Sequence, residues 1–343
     1  MGRAGLAAAI VWLLVLGAPA DSSAFRLITA GGRFVRWDAA PREVEGVERS
    51  LAGGLRYSLE GGSFQALRDQ LTWVGGNVPS AADFEAATRR AFDNWAVVDA
   101  AIQPPAGFHF VADLATPAVD DPGNPNRPGG FTGLNAGAEI DVFAATPHAG
   151  AQFGASVVIF VDATADDLTL TTGATAYPGR AISGADIRIN PVFAWSLRGW
   201  EVLLTHEIGH ALGLADLEGG GALFLDDDYD PSSPASALAT LTDAFSPVID
   251  VLDPDDSPLV AFGGNLNTNP GLDTPGVTLL METEGIFDLL FTEPRLQNDE
   301  LAARQFLYPV PAPEPGMAAM LGAGMALVAG LTFLRRIGRA GVC

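Results

Sequence analysis

Apolar and polar side chains alternate with a period of two at residues 34–37 and 55–59, the pattern of strands buried on one face. The period lengthens at residues 81–98, where Phe84, Ala87, Ala91, Phe92 and Trp95 recur every three or four positions behind Ser80, predicting an N-capped helix with one apolar stripe. A strand is expected near residues 107–111, followed by a surface loop at 120–133 that is rich in Pro, Gly and Asn. Further strands are expected at 138–143, 155–161 and 185–190, rich in β-branched and aromatic residues. Residues 200–204 supply the apolar body of a helix that runs on past 205, residues 236–245 suit a short helix, and residues 297–308 a closing helix with Asn298 or Asp299 as its cap.

The helix at 200–212 carries the densest chemistry in the chain. His206 and His210 are four apart, so one helix face presents two imidazole nitrogens to a single ion, and Glu207 lies one step around. That is the arrangement of a carboxylate that accepts a proton from a metal-activated water. Gly213 follows Ala211 and Leu212 as a helix stop, because glycine alone enters the left-handed region without steric cost. The chain can then turn and bring Asp216 back as a third ligand. A glutamate from a later segment, Glu282 or Glu284, is the rival for that position, but a scheme built on either gives Gly213 no purpose.

The run from His206 to Asp216, with spacing HExxHxxGxxD, resembles the metzincin metallopeptidases and more narrowly their matrixin-like branch. The resemblance implies an α+β fold with a twisted mixed sheet, a long active-site helix and a closing helix. It also implies a catalytic Zn2+ held by His206, His210 and Asp216, with Glu207 as the base. Where most members carry a third histidine this chain has Asp216, a legitimate zinc ligand that lowers the net charge of the centre. The resemblance further implies that residues 185–190 (Asp186, Ile187, Arg188, Ile189 and Asn190) form the sheet edge above the cleft, where a peptide substrate adds as a strand. Met281 is then the methionine of the turn beneath the ligands, and residues 217–278 are an insertion before it. His109 and His148 cannot furnish the three histidines of a second, structural zinc; His109 reads as a packed residue between two phenylalanines and His148 as a loop residue. Acidic clusters at 226–230 and 253–256 offer hard oxygen ligands to Ca2+, but their spacing does not fit an EF-hand, and a solvated acidic loop is the simpler reading.

The ends of the chain change the picture of where such a site works. Residues 1–20 read as a secretory signal: Arg3, an apolar run and a small-residue cleavage site at Ala18-Pro19-Ala20, with 22–24 an alternative cut. Residues 21–310 would be the metallopeptidase domain. Residues 311–316, with Pro313-Glu314-Pro315, lead into an uncharged apolar stretch at 316–334 and a basic tail at 335–343. This arrangement resembles the PEP-CTERM sorting signal, which implies a transmembrane segment, an exosortase-type partner and a Gram-negative envelope or exterior location. The formal net charge of −22 excludes bulk attraction to nucleic acid or to an anionic membrane surface. The single cysteine, Cys343, excludes an intramolecular disulfide and a cysteine that would keep the metal latent. The expected function is hydrolysis of extracellular or matrix proteins; the alternative is a zinc-binding structural or adhesion protein without catalysis, which has no need of Glu207.

Overall fold

The computed structural model describes residues 24–96, 108–120, 131–132, 137–147, 150, 153–162, 167–175, 177–217, 223–226, 229–230, 232–242, 260–263, 279–281, 296 and 298–309. Its principal strands are β1 (Ala24–Phe25), β2 (Thr29–Ala30), β3 (Arg33–Arg36), β4 (Leu55–Leu59), β5 (Phe110–Ala112), β6 (Phe131–Thr132), β7 (Ile140–Ala144), β8 (Ala155–Val161), β9 (Arg180–Ile189), β10 (Leu223–Asp226) and β11 (Val260–Gly263). Its helices are α1 (Phe64–Arg68), α2 (Ala81–Ala96), α3 (Leu197–Ala211), α4 (Pro234–Thr242) and α5 (Asn298–Leu307).

An eight-stranded sheet forms the frame, in the order β2-β3-β9-β7-β4-β5, with β8 beside β9 and β6 beside β8. The pairs β3–β9, β9–β7, β7–β4 and β4–β5 are parallel, whereas β8 runs antiparallel to β9. Register sorts the side chains. Ile140 lies beside Tyr57 and Ala185, and Val142 beside Leu59 and Ile187, so one face is apolar. Asp141 lies beside Ser58 and Asp186 on the other.

The apolar face receives α2 and α3, which pack on each other. Ser80 caps α2 by accepting from the Asp83 N–H at 3.1 Å, and Phe84, Ala87, Ala91, Phe92 and Trp95 are all buried. Phe92 stacks on Tyr57 with ring centroids 3.9 Å apart, which seats the helix on β4. Trp95 Nε1 donates to the Thr205 carbonyl at 2.7 Å and Trp200 Nε1 donates to Thr88 Oγ1 at 3.0 Å, so both buried indoles are satisfied while they lock the two helices in register. Arg90 adds a pair of hydrogen bonds to Glu201 at 2.8 and 2.6 Å.

Three expectations require correction. The first concerns the fold class. The helices do not stand apart from the strands as in an α+β fold; the successive parallel strands β4, β5, β7 and β9 need crossovers between them, one of which carries α1 and α2, and the architecture is mixed α/β. Nor is a membrane-spanning helix part of it: among the described residues no helix is long and apolar enough to cross a membrane. Residues 316–334, which the apolar run singled out, lie outside the described residues, as do the signal at 1–20, the segment 311–316 and the tail at 335–343.

The second correction concerns residues 185–190. Residues 185–189 are the C-terminal half of β9, paired on one side with β7 and on the other with β8, and so lie inside the sheet, with Asn190 just past the strand's end. Asp186, Ile187, Ile189 and Asn190 are buried, and Arg188 pairs with Asp120. A six-residue window of alternating residues cannot reveal how many neighbours its backbone will have. The third concerns His109, which is exposed rather than packed; its carbonyl accepts from Leu55 N at 2.8 Å while its ring stays outside.

Within the expected insertion, β10 and β11 form a three-stranded sheet with β1, and the short helix is present as α4. Asp230 accepts from the N–H and hydroxyl of Ser232 just before α4. His148, Glu282, Glu284 and the second acidic cluster lie outside the described residues.

Candidate metal centre

Helix α3 starts at Ser196, whose side chain accepts from Gly199 N, and it ends in a Schellman motif. Gly213 N donates to the His210 carbonyl at 2.9 Å and Leu214 N to the Gly209 carbonyl at 3.0 Å. The remaining terminal carbonyls find Trp37 Nε1, 3.0 Å from the Ala211 oxygen, and the Tyr308 hydroxyl, 2.6 Å from that of Leu212. Gly213 has φ +106°, and a Cβ there would stand 2.4 Å from the Val35 carbonyl oxygen, so conformation and space both require glycine.

That turn delivers Asp216. Its Oδ1 lies 3.2 Å from Nε2 of His206 and 3.2 Å from Nε2 of His210. The two rings stand nearly perpendicular with centroids 4.6 Å apart. These three ligand-type atoms lie within 4.8 Å of one another, a grouping that could hold a metal ion. Tetrahedral coordination at about 2.0–2.1 Å sets neighbouring ligand atoms about 3.3 Å apart, close to the separations here.

Both rings are oriented from behind. His206 Nδ1 donates to the Leu280 carbonyl at 2.6 Å, and His210 Nδ1 to the Leu214 carbonyl at 2.9 Å, which leaves each Nε2 lone pair free to face the centre. Burial lowers the affinity of both imidazoles for a proton, but the Asp216 charge and hydrogen bonds more than offset it, so His206 is raised and His210 is raised to about 9. Burial alone would raise Asp216; the two rings instead hold it well below the usual carboxylate range. A divalent cation bound there would supply the positive charge that this carboxylate faces in place of the proton.

Glu207 is buried beside them, and its Oε2 has no hydrogen-bond partner among the described residues. Burial pushes its carboxyl upward, the two histidines pull it back, and the Asp216 charge raises it again. A buried carboxylate left without a donor is costly unless a water or substrate completes it. Met281 forms the floor: it is buried, and a Cβ on Gly209 would lie 2.6 Å from its sulfur and 2.8 Å from Trp95. The glycine between the two ligand histidines therefore admits the methionine. The donor set of two imidazoles and one carboxylate accepts zinc and other divalent first-row ions alike.

Sequence reasoning missed several contributors. Gly209 left a visible sign, being a glycine inside an apolar helix. The N-terminal residues 25–27, Phe-Arg-Leu, which alternate apolar and polar just before Ile28, did too. Ile28 N donates to the Gly213 carbonyl at 2.8 Å, Ala215 N to the Arg26 carbonyl at 2.9 Å, and Arg26 Nη1 to the Asp216 carbonyl at 2.8 Å, so this segment clamps the ligand turn. The carbonyls of Leu280 and Leu214 left none, since any residue has one.

The open edge beside α3 belongs to β8. Asn190 N donates to the Gly154 carbonyl at 2.8 Å. The antiparallel alternation therefore turns the backbone of Ser156, Val158 and Phe160 toward β9 and that of Ala155, Val157 and Ile159 away from it. Strand β6 pairs only with Phe160 and Val161, so among the described residues positions 155–159 have no neighbour on that side. A Cβ on Gly154 would lie 3.1 Å from Trp195 and 3.8 Å from Leu203, one turn before His206, which sets this edge alongside the helix.

Comparison with models of known protein families finds none that matches this chain, and no curated protein matches it either.

Proposed function

We propose that this chain is an exported zinc-dependent endopeptidase of the metzincin type. The observation that carries the reading is the approach of Asp216 Oδ1 to within 3.2 Å of Nε2 of both His206 and His210, with Glu207 buried beside them and its Oε2 without a hydrogen-bond partner among the described residues. A site with a purely structural ion closes its fourth position and needs no base there. Export rests on the signal-like residues 1–20.

Zinc held by His206, His210 and Asp216 would supply a Lewis acid for the substrate carbonyl and would bring a water's pKa to near neutrality. Glu207 accepts the proton of that water on its free oxygen and returns it to the leaving amine nitrogen. His206 and His210 keep Nδ1 protonated against Leu280 and Leu214 throughout, so neither ring acts as the proton carrier. The peptide is held extended by the outward N–H and C=O groups of Ala155, Val157 and Ile159, which take the part that the resemblance assigns to residues 185–190.

The test is zinc content by elemental analysis together with digestion of casein or mixed peptides. Wild type is expected to hold one zinc and to cleave. Glu207→Gln is expected to hold zinc and lose activity by a factor of roughly 10² to 10⁴. Zinc-loaded wild type that cleaves nothing, or a Glu207→Gln variant as active as wild type, refutes the reading.

A further inference from the structure

We propose that Glu300 is a positioning residue for His206, acting through the single peptide group that joins Leu280 to Met281. The proposal rests on the metal centre described above and adds to it a charged contact from the closing helix.

Glu300 lies on α5, fully buried, and its Oε1 accepts from Met281 N at 3.1 Å. The carbonyl of Leu280 accepts from His206 Nδ1 at 2.6 Å. That N–H and that C=O are the two ends of one planar amide whose resonance couples nitrogen to oxygen. A carboxylate at the N–H end polarises the amide and makes its oxygen a stronger acceptor, the more so where water is absent and hydrogen bonds strengthen one another. Leu279, Leu280, Met281, Ala303 and Phe306 around this group are all buried. The stronger acceptor draws on the Nδ1 proton of His206, fixes the ring and makes Nε2 a better donor to a cation.

The second histidine provides an internal comparison. His210 Nδ1 donates to the Leu214 carbonyl, and the other end of that amide, Ala215 N, donates to the carbonyl of Arg26 at 2.9 Å. The arrangement is the same, with a neutral oxygen in place of the carboxylate. The histidine contact is 2.9 Å there and 2.6 Å on the Glu300 side, the order that charge assistance produces. The two ligand rings are thus held by two equivalent relays, only one of which ends in a negative charge.

The experiment compares wild type with Glu300→Gln, whose side-chain oxygen can still accept from Met281 N but carries no charge. Zinc affinity is measured by chelator competition, stability by thermal melting of the zinc-free protein, and the two Nδ1 protons by NMR of histidine-labelled protein. The expected result is a zinc-free variant that still melts cooperatively, a roughly ten- to hundredfold loss of zinc affinity, and an upfield move of the His206 Nδ1 proton with that of His210 unmoved. Wild-type zinc affinity in Glu300→Gln with an unmoved His206 proton overturns the proposal while leaving the metal centre intact. Wild type that binds no zinc overturns both. Should Glu300→Gln not fold, wild type decides: the His206 Nδ1 proton is expected downfield of the His210 proton, and the reverse order or equality overturns the relay.

Discussion

Asp141 shows how the polar face of the sheet differs from the metal centre at the level of single residues. It is buried, accepts from the Ser58 hydroxyl, from Ala138 N at 3.1 Å and from Val119 N at 3.3 Å, and a Cβ on Gly137 would fall on its carboxylate. Burial nevertheless raises its pKa from 3.8 to about 6, with those donors and Arg49 opposing the rise. The folded protein therefore holds a proton between about pH 4 and 6 that the unfolded chain has released. The stability this group contributes is full below 3.8 and is lost as pH rises through about 6. A rise of that size corresponds to about 3 kcal/mol. Asp141→Asn is expected to flatten the stability profile across that window, measured by urea denaturation at several pH values; an unchanged slope removes Asp141 as its source. At the candidate metal centre the same desolvation acts on Glu207, whose Oε2 has no hydrogen-bond partner among the described residues.

Among the elements, α3 and the turn after it decide whether three ligands meet. The helix alone sets His206 and His210 on one face, four positions apart. The third ligand depends on Gly213 reversing the chain within van der Waals reach of β3. Gly213→Ala forces a side chain into the left-handed region and toward the Val35 carbonyl. It is expected to cost about 1–2 kcal/mol from backbone conformation alone, with the 2.4 Å approach adding to it. A fall in melting temperature together with weaker zinc binding is the expected measurement; a variant with unaltered stability shows that the turn tolerates a Cβ. The spacing from His206 to Asp216 made this turn legible, because helix period and glycine conformation are local properties. The role of β8 was not legible. Its residues read as a strand, but whether that strand or β9 forms the edge depends on which neighbours arrive from elsewhere in the chain.

At the scale of the whole molecule, the N-terminal residues and the closing helix converge on the site from opposite ends of the chain. Strands β1 to β3 supply a strand to the insertion's sheet, two to the central sheet and the clamp from Arg26 and Ile28 onto the Gly213 to Asp216 turn. A chain beginning at residue 37 is expected to lose cooperative melting and zinc binding, whereas one beginning at residue 24 keeps both. Circular dichroism and zinc titration distinguish them, and a residue-37 form that folds and binds zinc would mark 24–36 as a removable segment. By itself the amino-acid sequence determined a helix starting at residue 81 with its apolar stripe, the histidine pair with its carboxylate, the stop at Gly213 and the reach to Asp216, since each follows from contacts within a few residues. Only the tertiary structure decided that β9 is interior, that residues 25–28 grip the ligand turn, and that Glu300 stands behind His206. The contacts that hold the ligand turn and the His206 ring join positions 190 and 74 residues apart, and a pairing at that distance is set by which buried surfaces fit together, a property that no local pattern of side chains encodes.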